Sequence, residues 1–411
     1  MSGPLTGIRV VDFSRVLSGP HCGQTLQDLG AEVIKVEPPS GDFSRLALPS
    51  DGQISGYYAQ QNAGKRNLSI DLNVPGSREV VLRLCDTADV IVENFRPGTL
   101  ESFGVGYEDV VKRNPGVIYA SISGYGQHGP WRARAAYAPT VQAETGITAI
   151  TRNQFPEGPL RTDSLSHADV YSGLHATIAI LGALHHKDIT GEGQYVDVAM
   201  AAVMVSINER VSADLSGIDF GAERTILGAT DGSFFTSPEG DTFVSPMSLV
   251  GTGTFRFYLG AMRRPDLADD PRFRTAQDRE INYAALHEIV QQWIWTFDDF
   301  DSMSAQFDEA KIPTGRVRTT TDVLESDWAE QWAARRRISD RAGGSFTVPG
   351  RPWHFSGTKA EPGSEPERQP AYQGEHNTEL LLELGYTTEQ ISDLSARGAL
   401  VASDRLTPQG A

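Results

Sequence analysis

Short apolar runs alternate with helical patterns along the first half of the chain. The runs are rich in β-branched residues and are bounded by glycine, proline or polar residues, which is typical of buried strands. They cover residues 8–13, 31–37, 68–72, 90–94, 117–123 and 195–198. Helical patterns lie between several of them, for example at residues 19–29 and 78–85. This strand–helix–strand rhythm predicts an α/β fold with a mostly parallel sheet.

Residues 169–187 have a different pattern, with apolar side chains on nearly every helical side. A helix that is apolar all round is expected to be buried among other elements. Another helix is predicted over residues 199–215. Residues 284–296 and 300–310 are also helical in pattern, within a stretch of short strands and helices that predicts a smaller α+β domain.

The last part of the chain mixes loops and helices. Residues 345–367 are rich in proline and glycine, which predicts an extended connection. Arg335, Arg336 and Arg337 are interpreted as a solvated helix face, and residues 376–398 are again helical in pattern.

Composition narrows the classes of function. The 411 residues are 39% hydrophobic, and the formal net charge is −17. This negative charge would repel nucleic acid and anionic lipid, so neither is an expected partner. The two cysteines, Cys22 and Cys85, are too few for a disulfide framework. No apolar run approaches the ~20 residues of a membrane span, and no secretory signal is evident, so a cytoplasmic protein is expected.

Familiar nucleotide and hydrolase motifs do not occur. The sequence has no GxGxxG after the first strand, no P-loop and no GxSxG. Asp169, where the apolar helix starts, has two interpretations. It can be a capping acid three residues after Ser166. It can also be an oriented carboxylate nucleophile, with the small residue Gly173 leaving room for a substrate.

Basic residues suggest an anionic ligand. Lys65 and Arg66 precede one predicted strand, and Arg96 follows another. Cations at the edge of a parallel sheet suit a phosphorylated ligand, whereas solvated loop charges are the alternative.

Six ordered blocks carry a family resemblance. They are LTGIRVVDFSRVLSGP (5–20), LGAEVIKVEPPSGD (29–42), NAGKRNLSIDL (62–72), DVIVENFRPG (89–98), NPGVIYASISGYGQHGP (114–130) and HADVYSGLHATIAILGALHHKDITGEGQYVDVAM (167–200). In these blocks the chain resembles the class III CoA-transferases, which include formyl-CoA transferase.

The resemblance implies a reaction and a catalytic residue. CoA moves from an acyl-CoA donor to a carboxylic acid, and Asp169 forms an aspartyl anhydride and then an aspartyl-CoA thioester. Coenzyme A, as acyl-CoA, is the implied cofactor, and no metal is expected. The implied CoA contacts are Arg15, Ile70, Asp71, Leu72, Asn73, Asn94, Phe95 and Arg96.

The resemblance also implies an architecture. A Rossmann-like large domain is expected from residues 1–200 and 361–411, a small domain from 225–325, and linkers at 201–224 and 326–360. Two chains are expected to interlock as a homodimer.

Departures from formyl-CoA transferase concern the substrate side. Leu17 stands where that enzyme has glutamine, so an oxalate–formate pair is not expected. Tyr57 matches an active-site tyrosine, and Tyr137 is a further expected substrate contact. Ser102 replaces a usual arginine, so Arg96 is expected to take over part of its phosphate contact. The long glycine-rich flap of that enzyme has at best a short remnant at residues 251–253.

Two alternatives remain open from the sequence. An α-methylacyl-CoA racemase shares most of the blocks, but it needs a second acid/base group opposite the aspartate. Its histidine falls in the block matching residues 134–137, which contains none here. The other alternative is an acyl-CoA-binding protein without turnover.

Overall fold

The structure, a computed structural model, describes residues 3–48, 54–154, 159–209, 211–216, 232–358 and 368–403. Its strands are β1 (Arg9–Asp12), β2 (Glu32–Glu37), β3 (Arg66–Ser69), β4 (Val90–Glu93), β5 (Ile118–Ser123), β6 (Gln194–Ala199), β7 (Ser233–Thr236), β8 (Thr242–Ser245), β9 (Gly315–Arg316), β10 (Arg335–Ser339) and β11 (Ser345–Pro349).

The α-helices follow the same chain order. They are α1 (Ser18–Asp28), α2 (Gly56–Asn62), α3 (Ser77–Asp86), α4 (Thr99–Ser102), α5 (Tyr107–Val110), α6 (Ala138–Glu144), α7 (Ile147–Gln154), α8 (His167–Thr190), α9 (Met200–Ser206), α10 (Val211–Ser216), α11 (Thr252–Met262), α12 (Ala276–Ile281), α13 (Tyr283–Ile294), α14 (Phe300–Glu309), α15 (Thr320–Leu324), α16 (Asp327–Trp332), α17 (Asn377–Glu383) and α18 (Thr388–Ala396).

The six predicted strands form one sheet in the order β3-β2-β1-β4-β5-β6, and every neighbouring pair is parallel. The prediction of an α/β fold with a parallel sheet is therefore confirmed. From β1 the chain first adds β2 and β3 along one edge of the sheet, and it then returns to add β4 on the other side of β1. The connections after β1 and β4 therefore diverge, which leaves a crevice at the carboxyl ends of these two strands. Open α/β sheets bind ligands at such a switch point.

Both faces of this sheet are buried, because successive apolar side chains of each strand point to opposite sides. Val10 packs in a core with α1, α6, α8 and α9. Its neighbour Val11 packs in a second core with α3, α17 and α18. Side chains from the far end of the chain, such as Leu380 and Leu394, thus cover one face of a sheet built from the first 200 residues.

Helix α8 differs from the expectation of burial all round. Ala176, Ile180 and Ala183 are buried against the rest of the unit. However, Ile178 is 63% exposed and Ile189 is 71% exposed on another side of the helix. One chain therefore covers only part of the apolar surface of α8.

Three local predictions are wrong. The single helix predicted over 199–215 is two helices, α9 and α10. The arginine run at 335–337 is strand β10, not a helix face. This strand pairs antiparallel with β11, so residues 345–349, the start of the predicted extended connection, are part of a paired strand. Successive side chains of β10 have different partners, because Arg336 reaches Asp28 at 2.7 Å whereas Arg337 Nε donates to Ser345 Oγ on β11 at 3.0 Å.

Contacts divide the chain into two compact units, residues 1–207 with 327–411, and residues 208–326. The second unit has a three-stranded antiparallel sheet, β7-β8-β9, and a core rich in phenylalanine. Residues 251–253, the possible flap remnant, lie at the start of helix α11 there.

Parts of the predicted domain boundaries lie outside the described residues. They are residues 210 and 217–224 of the first linker, 225–231 of the small domain, 359–360 of the second linker, and 361–367 and 404–411 of the C-terminal part.

Candidate active site

A cavity of about 460 Å³ opens at the carboxyl edge of the sheet, where the segments after β1 and β4 meet. The segment after β5, which leads to α6, and the first turn of α8 complete its wall. The cavity therefore lies at the switch point of the strand order. Its lining brings together eight of the residues predicted from sequence, Arg15, Leu17, Tyr57, Asn94, Phe95, Arg96, Tyr137 and Asp169.

The predicted CoA contacts at residues 70–73 do not line this cavity. Ile70 pairs with Leu400, and the backbone N–H of Asp71 donates to Ala399 O at 2.8 Å. The Asp71 carboxylate accepts bonds from Asn73 N–H and Nδ2 at 2.9 and 2.8 Å. Leu72 packs against the core under α17 and α18. Any role for this segment in binding the adenosine end of CoA stays a prediction.

The Asp169 carboxylate is held by groups from two other elements. It accepts hydrogen bonds from the backbone N–H and the hydroxyl of Ser18, the first residue of α1, and from the backbone N–H of Ala138, the first residue of α6. Burial outweighs these bonds and raises the pKa of the Asp169 carboxyl to about 6. The side chain therefore combines a fixed orientation with a carboxylate that is poorly solvated and hence nucleophilic.

The capping interpretation of Asp169 is not what the structure shows. Ser166 is the N-cap residue of α8, but its side chain makes no capping hydrogen bond. Asp169 turns away from its own helix end toward α1 and α6.

The space beside Gly173 is also not a substrate path. A Cβ at Gly173 would lie 2.6 Å from the backbone oxygen of Ser18 and 3.2 Å from Cβ of His21. Gly173 thus lets α8 and α1 approach closely, which brings Ser18 to Asp169.

Asn94 fixes the segment between β1 and α1. Its Oδ1 accepts from Arg15 N–H at 2.8 Å, and its Nδ2 donates to Arg15 O at 2.8 Å and to Ser18 Oγ at 3.0 Å. Because Ser18 Oγ accepts a bond from Asn94, its own hydrogen is directed to Asp169. The amide of Asn94 is thus used within the protein.

Cations surround the cavity, although the protein is acidic. The Arg15 guanidinium lies 5.4 Å from the ring centre of Phe43 and 5.0 Å from that of Phe95. These cation–π contacts hold the guanidinium beside two aromatic rings of the cavity lining. Arg96 lines the same part of the cavity, and its side chain has no ion pair with the part of the chain that the structure describes.

Two further arginines were missed by sequence reasoning. Arg132 and Arg134 line the cavity from the loop that leads to Tyr137. Arg134 pairs with Glu144 and lies 4.9 Å from the ring centre of Trp131. No ion pair to Arg132 occurs among the described residues. Both stand in an exposed stretch without apolar periodicity, so only their place in space distinguishes them.

The other predicted cations are used elsewhere. Lys65 is buried, with Nζ 2.8 Å from Asp12 Oδ2. Arg66 pairs with Glu32, Glu379 and Glu383. Their charges are therefore used within the protein, and the structure supports neither a phosphorylated ligand at Lys65 and Arg66 nor, for the buried Lys65, the alternative of a solvated loop charge.

The predicted substrate contacts have distinct surroundings. Leu17 is buried just before the first residue of α1. Burial raises the pKa of the Tyr57 phenol, and the negative charge of Asp169 raises it further, so Tyr57 is neutral near Asp169 at ordinary pH. Tyr137 is 69% exposed at the mouth of the cavity.

Neither a metal-binding cluster nor a membrane-spanning helix occurs among the described residues. They contain no group of three or more His, Cys, Asp and Glu side chains that could hold a metal ion. No helix in these ranges is both long and apolar enough to cross a membrane.

Family, sequence and structure comparisons all relate this chain to CoA-transferases or to the CAIB/BAIF family. The family model described as CoA-transferase family III matches residues 5–377. The chain is 34% identical to a succinyl-CoA:mesaconate CoA-transferase of Haloarcula hispanica, over 94% of this chain and 98% of that protein. It is 32% identical to a succinyl-CoA–D-citramalate CoA-transferase of Chloroflexus aurantiacus, over 96% and 97%. A crystal structure of a CAIB/BAIF family protein from Brucella suis superposes with a TM-score of 0.76 at 29% identity, covering 93% of this chain and 100% of that one.

Proposed function

The chain belongs to family III of the CoA-transferases, and from this premise we propose that it transfers CoA between carboxylic acids through covalent intermediates on Asp169. One observation supports the choice of residue above all. The Asp169 carboxylate lines the cavity and is held by three hydrogen-bond donors from Ser18 and Ala138.

The proposed reaction has four balanced steps. An Asp169 oxygen attacks the carbonyl carbon of the donor thioester, and the C–S bond breaks to release CoA thiolate and form an anhydride. The thiolate then attacks the Asp169 carbonyl carbon, which releases the donor acid as its carboxylate and leaves an aspartyl-CoA thioester. The acceptor carboxylate attacks this thioester to give a second anhydride and release CoA thiolate again. The thiolate finally takes the new acyl group and restores the Asp169 carboxylate.

The donors around Asp169 suit these steps. When the thiolate adds to the Asp169 carbonyl carbon, negative charge develops on an Asp169 oxygen. The N–H groups of Ser18 and Ala138 already point at these oxygens, so they can stabilise that charge without reorganisation. The hydroxyl of Ser18, fixed by Asn94, adds a third donor.

The racemase alternative lacks a second base. None of the residues that line the cavity is a histidine. His167, next to the site, lies 3.4 Å from Asp163 and packs against Tyr171. The neutral Tyr57 phenol is a poor base at ordinary pH. We therefore favour acyl transfer over proton exchange at an α-carbon.

The substrates are proposed to be short dicarboxylic acids as their CoA esters. The two relatives described above are named for succinyl-CoA with mesaconate or citramalate. In this chain the cations form two groups. Arg15 and Arg96 flank Phe95, where we place the CoA phosphates. Arg132 lines the cavity from the loop that leads to Ala138, whose N–H binds Asp169, and we assign it to the far carboxylate of the acyl group.

An interlocked homodimer is also part of the proposal. The uncovered apolar side of α8, with Tyr171, Ile178, Leu181 and Ile189, supports contact with a second chain. Interlocked chains cannot exchange without unfolding. We expect tagged and untagged dimers to stay unmixed for days in native buffer, and rapid mixing on native mass spectrometry would contradict the interlocking.

Trapping tests the covalent role of Asp169. Incubation with succinyl-CoA followed by hydroxylamine is expected to convert Asp169 to a hydroxamate, found by peptide mass spectrometry. Asp169→Ala is expected to lose transfer and keep CoA binding, measured by calorimetry. Asp188→Ala, on an exposed turn of the same helix, is the control and should be trapped at Asp169 as before. Full turnover of Asp169→Ala would refute the mechanism.

A further inference from the structure

The loop between β1 and α1, residues 13–17, has an unusual backbone at Val16. Its φ angle is +69°, in the left-handed region. For a β-branched residue this conformation is a steric outlier that persists only where the surroundings enforce it. Arg15 and Leu17, on either side of Val16, both line the cavity.

A buried ion pair, Lys35 with Asp42, makes hydrogen bonds to the backbone of this loop. Lys35 Nζ lies 2.9 Å from Asp42 Oδ2, and both side chains are fully buried. The Asp42 oxygens accept from Val16 N–H at 3.1 and 3.3 Å. Lys35 Nζ donates to Ser14 O at 2.7 Å. The ion pair therefore binds the backbone on both sides of Arg15, whose own N–H and C=O are bound by Asn94.

The position of Ser18 depends on this loop. Ser18 is two residues after Val16, and Leu17, the N-cap residue of α1, makes no side-chain capping bond. If Val16 relaxed to an ordinary φ, the chain direction into α1 would change. The N–H and hydroxyl of Ser18 would then turn away from Asp169.

We propose that the Lys35–Asp42 ion pair is a positioning element of the transfer reaction, which holds Val16 in the left-handed conformation and thereby keeps the Ser18 donors on Asp169. The proposal rests on the function proposed above. Neither Lys35 nor Asp42 lines the cavity, so they act through the loop and not on substrate. The alternative is an ion pair that stabilises only the fold.

Two backgrounds separate these roles. Asp42→Asn removes the carboxylate paired with Lys35 and weakens the hold on Val16, whereas the charges of Asp12 and Glu37 still act on Lys35. In the wild-type background we expect kcat to fall about tenfold or more, because a strained valine relaxes once it is released. In a Val16→Gly background the same Asp42→Asn change is expected to lower kcat by about threefold or less, since glycine populates positive φ without steric cost. Equal losses in both backgrounds would overturn the proposal.

The pH midpoint of Asp169 can be measured without substrate, so this second test does not depend on the proposed function. Carbodiimide with an amine nucleophile labels protonated carboxyl groups, and peptide mass spectrometry gives the pH midpoint for Asp169. Loss of the Ser18 donors removes stabilisation of the ionised form, so Asp42→Asn is expected to raise the midpoint by about half a pH unit or more. Tyr57, the titratable group facing Asp169 from α2, stays neutral over this range.

The outcomes are distinct. In one outcome, Asp42→Asn shifts the labelling midpoint of Asp169 in the wild-type background but not in the Val16→Gly background, and the wild type transfers no CoA. The positioning role then holds, whereas the proposed reaction fails. If the midpoint is unchanged by Asp42→Asn in a folded protein, the positioning is refuted whatever the activity. Should Asp42→Asn fail to fold, Lys35→Met breaks the same pair from the other side, and the same two criteria apply.

Discussion

Replacement of Asp169 by asparagine is expected to make the protein more stable at neutral pH. The folded state raises the pKa of this carboxyl from 3.8 to about 6, chiefly by burial. The Asp169 carboxyl therefore loses its proton at a lower pH in the unfolded chain than in the folded protein. Stability is lost as pH rises from about 4 to 6, and the full cost is present above pH 6. Asparagine has nearly the same shape and still accepts a bond from Ser18 or Ala138, but it carries no charge to desolvate.

The size of the effect follows from the shift. A shift of about two pKa units at ~1.4 kcal/mol per unit gives an upper value of about 3 kcal/mol. Asp169 lines an open cavity and is only partly buried, so solvent screening reduces this to about 1–2 kcal/mol. With ~2.1 cal/mol/K of unfolding entropy per residue over 411 residues, the midpoint of thermal unfolding rises by about 2 °C.

Thermal unfolding at two pH values measures this effect. We expect Asp169→Asn to melt above the wild type at pH 7.5 and to approach it near pH 4.5. The matched control is Asp188→Asn, at the exposed end of the same helix, which should stay within about 0.5 kcal/mol of wild type at both pH values. An Asp169→Asn protein that melts at or below wild type at pH 7.5 would show that the folded state does not penalise the charge, and the reasoning would be wrong.

Three more predictions concern activity and packing. Because the protonated carboxyl is no nucleophile, kcat/KM for the CoA donor should fall about tenfold per pH unit below about 6, and a midpoint near pH 4 in the rate profile would contradict the pKa shift. Gly173→Ala should cost about 1–3 kcal/mol in urea unfolding and lower kcat, because the added Cβ meets Ser18 O. Gly260→Ala on helix α11, where an added Cβ meets nothing, is the control and should gain up to about 1 kcal/mol. Arg132→Gln should raise KM for succinate about tenfold but leave KM for butyrate unchanged, and equal effects on both acids in steady-state assays would exclude a carboxylate contact.

Local pattern was sufficient for the main sheet. The runs at residues 8–13 and 90–94 form β1 and β4. A parallel strand that is buried on both faces needs apolar side chains on both, so a short continuous apolar run is typical of it. The pattern failed at residues 335–337, where three charged residues form a strand. There the pairing partner β11 and the part-buried contact of Arg336 with Asp28 favour the strand, and neither is visible in the local sequence.

The candidate site was only partly predictable. Asp169, Asn94 and Phe95 stand in blocks that carry the family resemblance, and this resemblance predicts their roles. Ser18 also stands in such a block, but serine is common and nothing in its residue type indicates that it contacts Asp169. Ala138 and Arg132 lie outside the six blocks, and their residue types carry no signal either. The interpretation of Gly173 as an opening for substrate was wrong, since the sequence does not say which neighbour fills the space beside a glycine.

By itself, then, the sequence determined the parallel sheet, the family and the acid that we place at the centre of the reaction. Tertiary structure alone decided which groups bind that acid, that burial raises its pKa, and that a buried Lys35–Asp42 pair lies beneath a strained Val16. The physical reason is that hydrogen bonds, desolvation and strain depend on atoms brought together from distant parts of the chain, whereas apolar periodicity acts between near neighbours.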